Sequence, residues 1–144
     1  MLISMTALVS LVQAQNPPTT GDRHKHVWIL HSYHKGYPLT DREEAGIESV
    51  LAPEDHWIER HIDYMDAKRN NTPAHIGMLR QMFALRYEPG LFDAIMAVDN
   101  DALNFILAYR ETLFPGVPVV FCGINNFDNS MLAGHRGYTG VLDS

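Results

Sequence analysis

A doubly wound α/β fold, built on a mostly parallel sheet of about five strands, is predicted by two features of the sequence. Short apolar runs alternate with stretches of helical period, and the runs are continuous rather than alternating apolar with polar, as strands buried on both faces require. Right-handed crossovers between parallel neighbours then place helices on both faces of the sheet. With 144 residues, 46% of them hydrophobic, the chain can bury one ordinary core and has little room for a second, so one globular unit is expected.

The elements follow in order. Residues 1–15, MLISMTALVSLVQAQ, are apolar and end in Val12-Gln13-Ala14, which matches a signal-peptidase site. They lack a positively charged start and are too short for a membrane span of about 20 residues. Export is the expectation, and an N-terminal extension that is packed or disordered is the alternative. Residues 16–26 carry Pro17, Pro18 and Gly21 without hydrophobic period and read as a linker. Val27–Leu30 is the first strand. Thr40-Asp41-Arg42-Glu43 has the Thr-x-x-Glu spacing of a capping box, opening a helix with Ala45, Ile47, Val50 and Leu51 inward. Trp57–Met65 is the second strand, and Asn71-Thr72-Pro73 caps a helix that buries Ile76, Leu79, Met82 and Phe83. Phe92–Val98 is the third strand, with Asp99 or Asn100 capping a helix striped by Leu103, Ile106, Leu107 and Leu113. Val117–Phe121 is the fourth strand, tolerating Pro118 near its start. A short helical or turn segment near Phe127–Ala133 leads to a fifth strand, Tyr138–Leu142.

In such sheets ligands bind beyond the carboxyl ends of the strands. Those ends carry Ser32, Tyr33, His34 and Tyr37 after the first strand and Tyr64, Met65 and Asp66 after the second. Asp99, Asn100 and Asp101 follow the third, and Gly123, Asn125 and Asn126 the fourth. Tyrosine walls with hydroxyls, amides and carboxylates suit a small polar or zwitterionic ligand. Tyr33, His34 and Tyr37 would supply walls and donors, Asp66 and Asp99 would accept, and Asn125 and Asn126 would donate. The competing role for Asp99, Asn100 and Asn126 is helix capping and turn formation. Lys68 and Arg69 fit either an anionic ligand group or pairing with Asp66.

Several function classes are disfavoured. A net charge of −6 with no basic run argues against a nucleic-acid partner. A phosphoacceptor receiver domain would use Asp99 but needs an acidic pair after the first strand, where Ser32-Tyr33-His34 stands. His31 and His34 lack a third ligand nearby, so no metal site is expected there, and a hydrogen-bonded core His31 is the preferred role. The single cysteine, Cys122, reads as a small buried hydrophobe rather than a catalytic thiol. Met65, Met78, Met82 and Met96 read as core filler.

Four segments together resemble a known family. They are His31-Ser32-Tyr33-His34-Lys35-Gly36-Tyr37, Met65-Asp66-Ala67-Lys68-Arg69, Asp99-Asn100-Asp101-Ala102 and the stretch Phe114-Pro115-Gly116-Val117-Pro118-Val119-Val120-Phe121-Cys122-Gly123-Ile124-Asn125-Asn126. In order and spacing, from about Val27 to Val141, they resemble the periplasmic binding-protein-like "ABC transporter substrate-binding protein" domain. That domain occurs in the extracytoplasmic sensor regions of bacterial histidine kinases and diguanylate cyclases. Leu39, Ala67 and Leu142-Asp143 depart from the residues common there. The resemblance implies a type I lobe with flavodoxin-like strand order at residues 27–144, the first of two lobes that close over a ligand, the second being absent from this chain. The lobe is expected to be non-catalytic, without cofactor or metal, and the two tyrosines at the polar strand ends favour an aromatic or amino-acid-like small molecule. A membrane-anchored signalling or transport partner, in a periplasmic or otherwise extracytoplasmic setting, is implied with it. The alternatives are the soluble binding component of an ABC transporter and, further off, a receiver-like domain or a small hydrolase.

Overall fold

The computed structural model of the protein describes residues 24–54 and 56–142. The signal-peptide-like segment, most of the linker and Asp143 lie outside them. The chain runs β1 (Lys25–His31), α1 (Pro38–Leu51), β2 (Ile58–Tyr64), α2 (Pro73–Arg86), β3 (Ala94–Val98), α3 (Asp99–Leu113), β4 (Val119–Cys122) and β5 (Tyr138–Gly140), with single 3-10 turns at Ala52–Glu54 and Asn129–Leu132. The five strands form one sheet in the order β2-β1-β3-β4-β5, and every pairing is parallel. This is the flavodoxin-like order. β1 begins two residues into the expected linker, because Lys25 and His26 already pair with Ile58 and Glu59.

The core lies between the sheet and the α2/α3 layer. Trp28 of β1 is its centre: the indole stacks on Phe92 and meets the ring edges of Phe83 and Phe114. Leu79 and Phe83 from α2 and Leu103, Phe105 and Ile106 from α3 close over it. Asp63 is buried on the same face, but three donors satisfy it: Trp28 Nε1 at 2.9 Å, the Tyr87 hydroxyl at 2.6 Å and the Arg86 guanidinium. Thr72 caps α2 as expected, accepting from His75 N at 3.2 Å, with Pro73 in the first turn.

Helix α1 lies on the opposite face and corrects two expectations. It begins at Pro38, not at Thr40, so Thr40 sits inside the helix, wholly buried, and the Thr40/Glu43 capping box does not form. Proline at the first position has no N–H to satisfy, which makes this start favourable without a side-chain cap. Its inward stripe runs through residues 40, 43, 44, 47 and 51, the positions that helical period aligns. Ala45 and Val50 fall off that stripe and are exposed, Val50 at 70%. Met78, expected inward on α2, is exposed as well. Beyond α1, the same face of β4 is thinly covered. Val120 and Val141 are exposed beside a cavity of about 260 Å³ that Ile47, Leu51, Met96 and Cys122 also line.

Candidate functional site at the carboxyl ends of the strands

Among the described residues three that are not glycine have left-handed backbones, Asp66 (φ 59°), Asp99 (φ 68°) and Asn126 (φ 54°), and they fall after β2, β3 and β4. Such conformations are uncommon outside glycine and gather at functional turns. Because every pairing is parallel, the loops after β1, β2, β3 and β4 leave the sheet on one rim.

On that rim Tyr33 and Tyr37 form a T-shaped pair, with ring centroids 5.3 Å apart. Lys68 holds its ammonium 4.7 Å from the Tyr33 centroid and 5.5 Å from that of Tyr37. Lys68 therefore faces the aromatic pair, while Arg69 pairs with Asp66 through a 2.6 Å contact. His34 Nδ1 lies 3.3 Å from Asp66 Oδ1, tying the first loop to the second. The Arg69 and Asn70 side chains hold the Asp66 carboxyl below its usual range.

Asp99 lies beneath this surface, 1% exposed, and neither of its carboxylate oxygens has a hydrogen bond of good geometry. Burial raises its pKa first of all, and the nearby Asp101 raises it further, against the opposing influence of Glu43 and Lys68. Glu43 reaches in from α1 to the same point. A Cβ at Gly123 would stand 2.8 Å from Glu43 Oε1 and 3.1 Å from Asp99 Oδ1, and Gly123 itself has φ +70°. Glycine is thus required at the end of β4 both by backbone conformation and by the space the two acids fill. Tyr33 feels the same acids: burial and the fields of Asp99 and Asp101 push its phenol upward.

Other expected site residues are committed elsewhere. Ser32 is wholly buried; its hydroxyl donates to Val98 O at 2.7 Å and accepts from Ala102 N at 2.8 Å. It caps α3, whose N-cap position is Val98, so neither Asp99 nor Asn100 is the cap. Asn100 instead exchanges two hydrogen bonds with the Asn125 backbone, at 2.9 and 3.0 Å, pinning the loop after β4 to α3. Tyr64 turns to the α1 face, where its ring stacks on His31 and its hydroxyl donates to Glu44. Asp101 lies near Asn71 at the mouth of a groove of about 260 Å³ between α2 and α3. Asn125 and Asn126 are exposed on the rim. His31 is fully buried as expected, but neither ring nitrogen is hydrogen-bonded, and burial lowers its pKa despite Glu44 and Asp41 nearby. Glu43 joins the site without having been singled out for it, and Lys68, expected to meet an anionic ligand group or to pair with Asp66, faces the two tyrosines. The Met65-Asp66-Ala67-Lys68-Arg69 segment pointed to Lys68, but nothing local in the sequence pointed to Glu43.

Comparison of the chain with protein-family models, with curated proteins and with solved structures gives no match. The fold itself is a parallel, doubly wound α/β lobe of flavodoxin-like or periplasmic-binding-protein-like type. Among the described residues no helix is long and apolar enough to cross a membrane.

Proposed function

We propose that this chain is a non-catalytic lobe that binds a small amino-acid-like or aromatic amine ligand on its carboxyl-end rim, as part of an extracytoplasmic sensor. The observation that carries the reading is Asp99. A buried carboxyl whose side-chain partner is a second acid, Glu43, and that sits on a left-handed backbone costs stability, and such costs are characteristic of binding sites. Tyr33 and Tyr37 give a flat aromatic surface for the ligand's body. Lys68 is placed for a ligand carboxylate, and the acids beneath make the surface favourable for an ammonium group. Partner, compartment and the choice between sensing and uptake rest on the resemblance in the four segments named above.

Screening the chain by thermal shift against amino acids, aromatic amines and aromatic carboxylates tests this. Stabilisation by a zwitterion or amine is expected, weakened at least tenfold by Tyr33→Ala and by Asp99→Asn. Equal binding by the Asp99→Asn variant would remove the acid pair from the site, and a response to carboxylates alone would reverse the proposed polarity.

A further inference from the structure

At the opposite rim of the sheet, strand pairing brings His26 of β1 beside two side chains of β2, Glu59 and His61, that lie more than thirty residues further along the chain. In the β1/β2 register His26 stands opposite Glu59 and Trp28 opposite His61. Alternation along each strand therefore puts His26, Glu59 and His61 on one face, at the amino-terminal end. The two imidazoles meet with His26 Nδ1 3.1 Å from His61 Nε2. Glu59 spans both: Oε2 is 3.6 Å from the His26 nitrogen and Oε1 is 3.5 Å from that of His61.

We propose that His26, Glu59 and His61 form a site for a late first-row divalent cation of the zinc class, which clips edge strand β2 to β1. Ligands about 2.0–2.1 Å from a tetrahedral zinc stand roughly 3.3 Å from one another. The nitrogen pair, at 3.1 Å, and each nitrogen's nearer Glu59 oxygen, at 3.6 and 3.5 Å, lie close to that value, and one ligand atom from each residue falls within 4.8 Å of the other two, so a small turn of the exposed carboxylate completes the set. One neutral imidazole donating to the other would account for the nitrogen pair alone. It would not account for a carboxylate that addresses both of the same nitrogens. Two imidazoles and a carboxylate form a borderline donor set that favours zinc or copper(II) over magnesium or calcium, which prefer all-oxygen sites.

The site is also built and reachable. The His61 ring is held by edge contacts to Tyr87 and Phe92, at 5.7 and 5.3 Å, and His26 N donates to Asp93 at 2.9 Å. The histidine side chains keep 23% and 19% exposure and Glu59 keeps 54%, leaving a fourth position open to water. Ligation requires His26 to carry its proton on Nε2 and His61 on Nδ1.

The test is calorimetric titration of the untagged, chelator-treated chain with zinc chloride, together with melting curves at fixed zinc concentrations. One saturable zinc per chain is expected, with a melting temperature that rises with zinc concentration and does not respond to magnesium or calcium. His26→Gln and His61→Gln should each weaken binding at least tenfold and Glu59→Gln less, while His24→Gln and His56→Gln change nothing. Since the His61 ring is packed between aromatics, the more exposed His26→Gln decides the matter if the His61 variant does not fold. Absence of saturable binding, binding that survives His26→Gln, or binding lost with His24→Gln or His56→Gln would overturn the proposal.

Discussion

Asp63 in β2 and Asp99 just past β3 are both buried aspartates, and the chain treats them oppositely. Asp63 accepts from Trp28, Arg86 and Tyr87, and that shared carboxylate, with burial as the larger influence, pushes the Tyr87 phenol up to about 12. Asp99 has no such donors, and its pKa is raised. A carboxyl with a raised folded-state pKa costs stability above that pKa, and the cost is relieved as pH falls toward the ordinary aspartate value of 3.8. Asp99→Asn should therefore stabilise the fold at pH 7, by roughly 1 kcal/mol, with a gain that shrinks toward pH 4. Asparagine also tolerates the left-handed backbone. Denaturant midpoints at the two pH values measure this, and a loss of stability at pH 7 would show that the carboxylate is needed for folding. Gly123→Ala should cost about 1–3 kcal/mol in the same assay, because the added methyl meets both acids on an unfavourable backbone. His31 acts with the opposite sign. Its folded pKa is lowered, so stability falls as pH drops below the ordinary imidazole value of 6.5, where the unfolded chain takes up a proton that the folded one resists.

Helix α3 shows how an element can depend on a residue remote from it. Its first turn offers no capping side chain of its own, and the acceptor for Ala102 N comes from Ser32, 70 residues earlier. Ser32→Ala should cost about 1–2 kcal/mol, with an unchanged urea m-value if the fold persists. Such a role could not be read from the sequence, because a serine just past a strand has the same local signature whether it faces a ligand or a helix end. Thr72 was legible because its acceptor and donor lie three residues apart. The apolar strands were legible for a similar reason: Trp28, Ile29 and Leu30 are buried whichever neighbour covers them. Helix α1 was misread where a local rule competed with a distant partner. Thr40 and Glu43 satisfy the spacing of a capping box, yet Pro38 starts the helix, and Glu43 is drawn to Asp99 and Gly123, which lie more than fifty residues on. Tyr33, Tyr37 and Asp66 could be placed on the rim from strand ends alone, whereas the pairing of His26 with His61 needed the sheet register.

Across the whole molecule the two faces of the sheet are unequal. One carries α2, α3 and the aromatic core around Trp28, and the other carries α1 with Val50, Val120 and Val141 left in contact with solvent. Substituting these three should change stability by less than about 0.5 kcal/mol each, as for other surface positions, and thermal melts of Val50→Glu and Val120→Glu check this. The bare valines also bear on how the protein would look to a fluorescent probe. Dyes that brighten on apolar surface are the usual reporters of loosely folded states, and this chain offers them a binding place while Trp28 remains fixed among four rings. A bright dye signal beside a sharp near-ultraviolet spectrum would then be the native signature, and a sample judged by the dye alone would be discarded as misfolded.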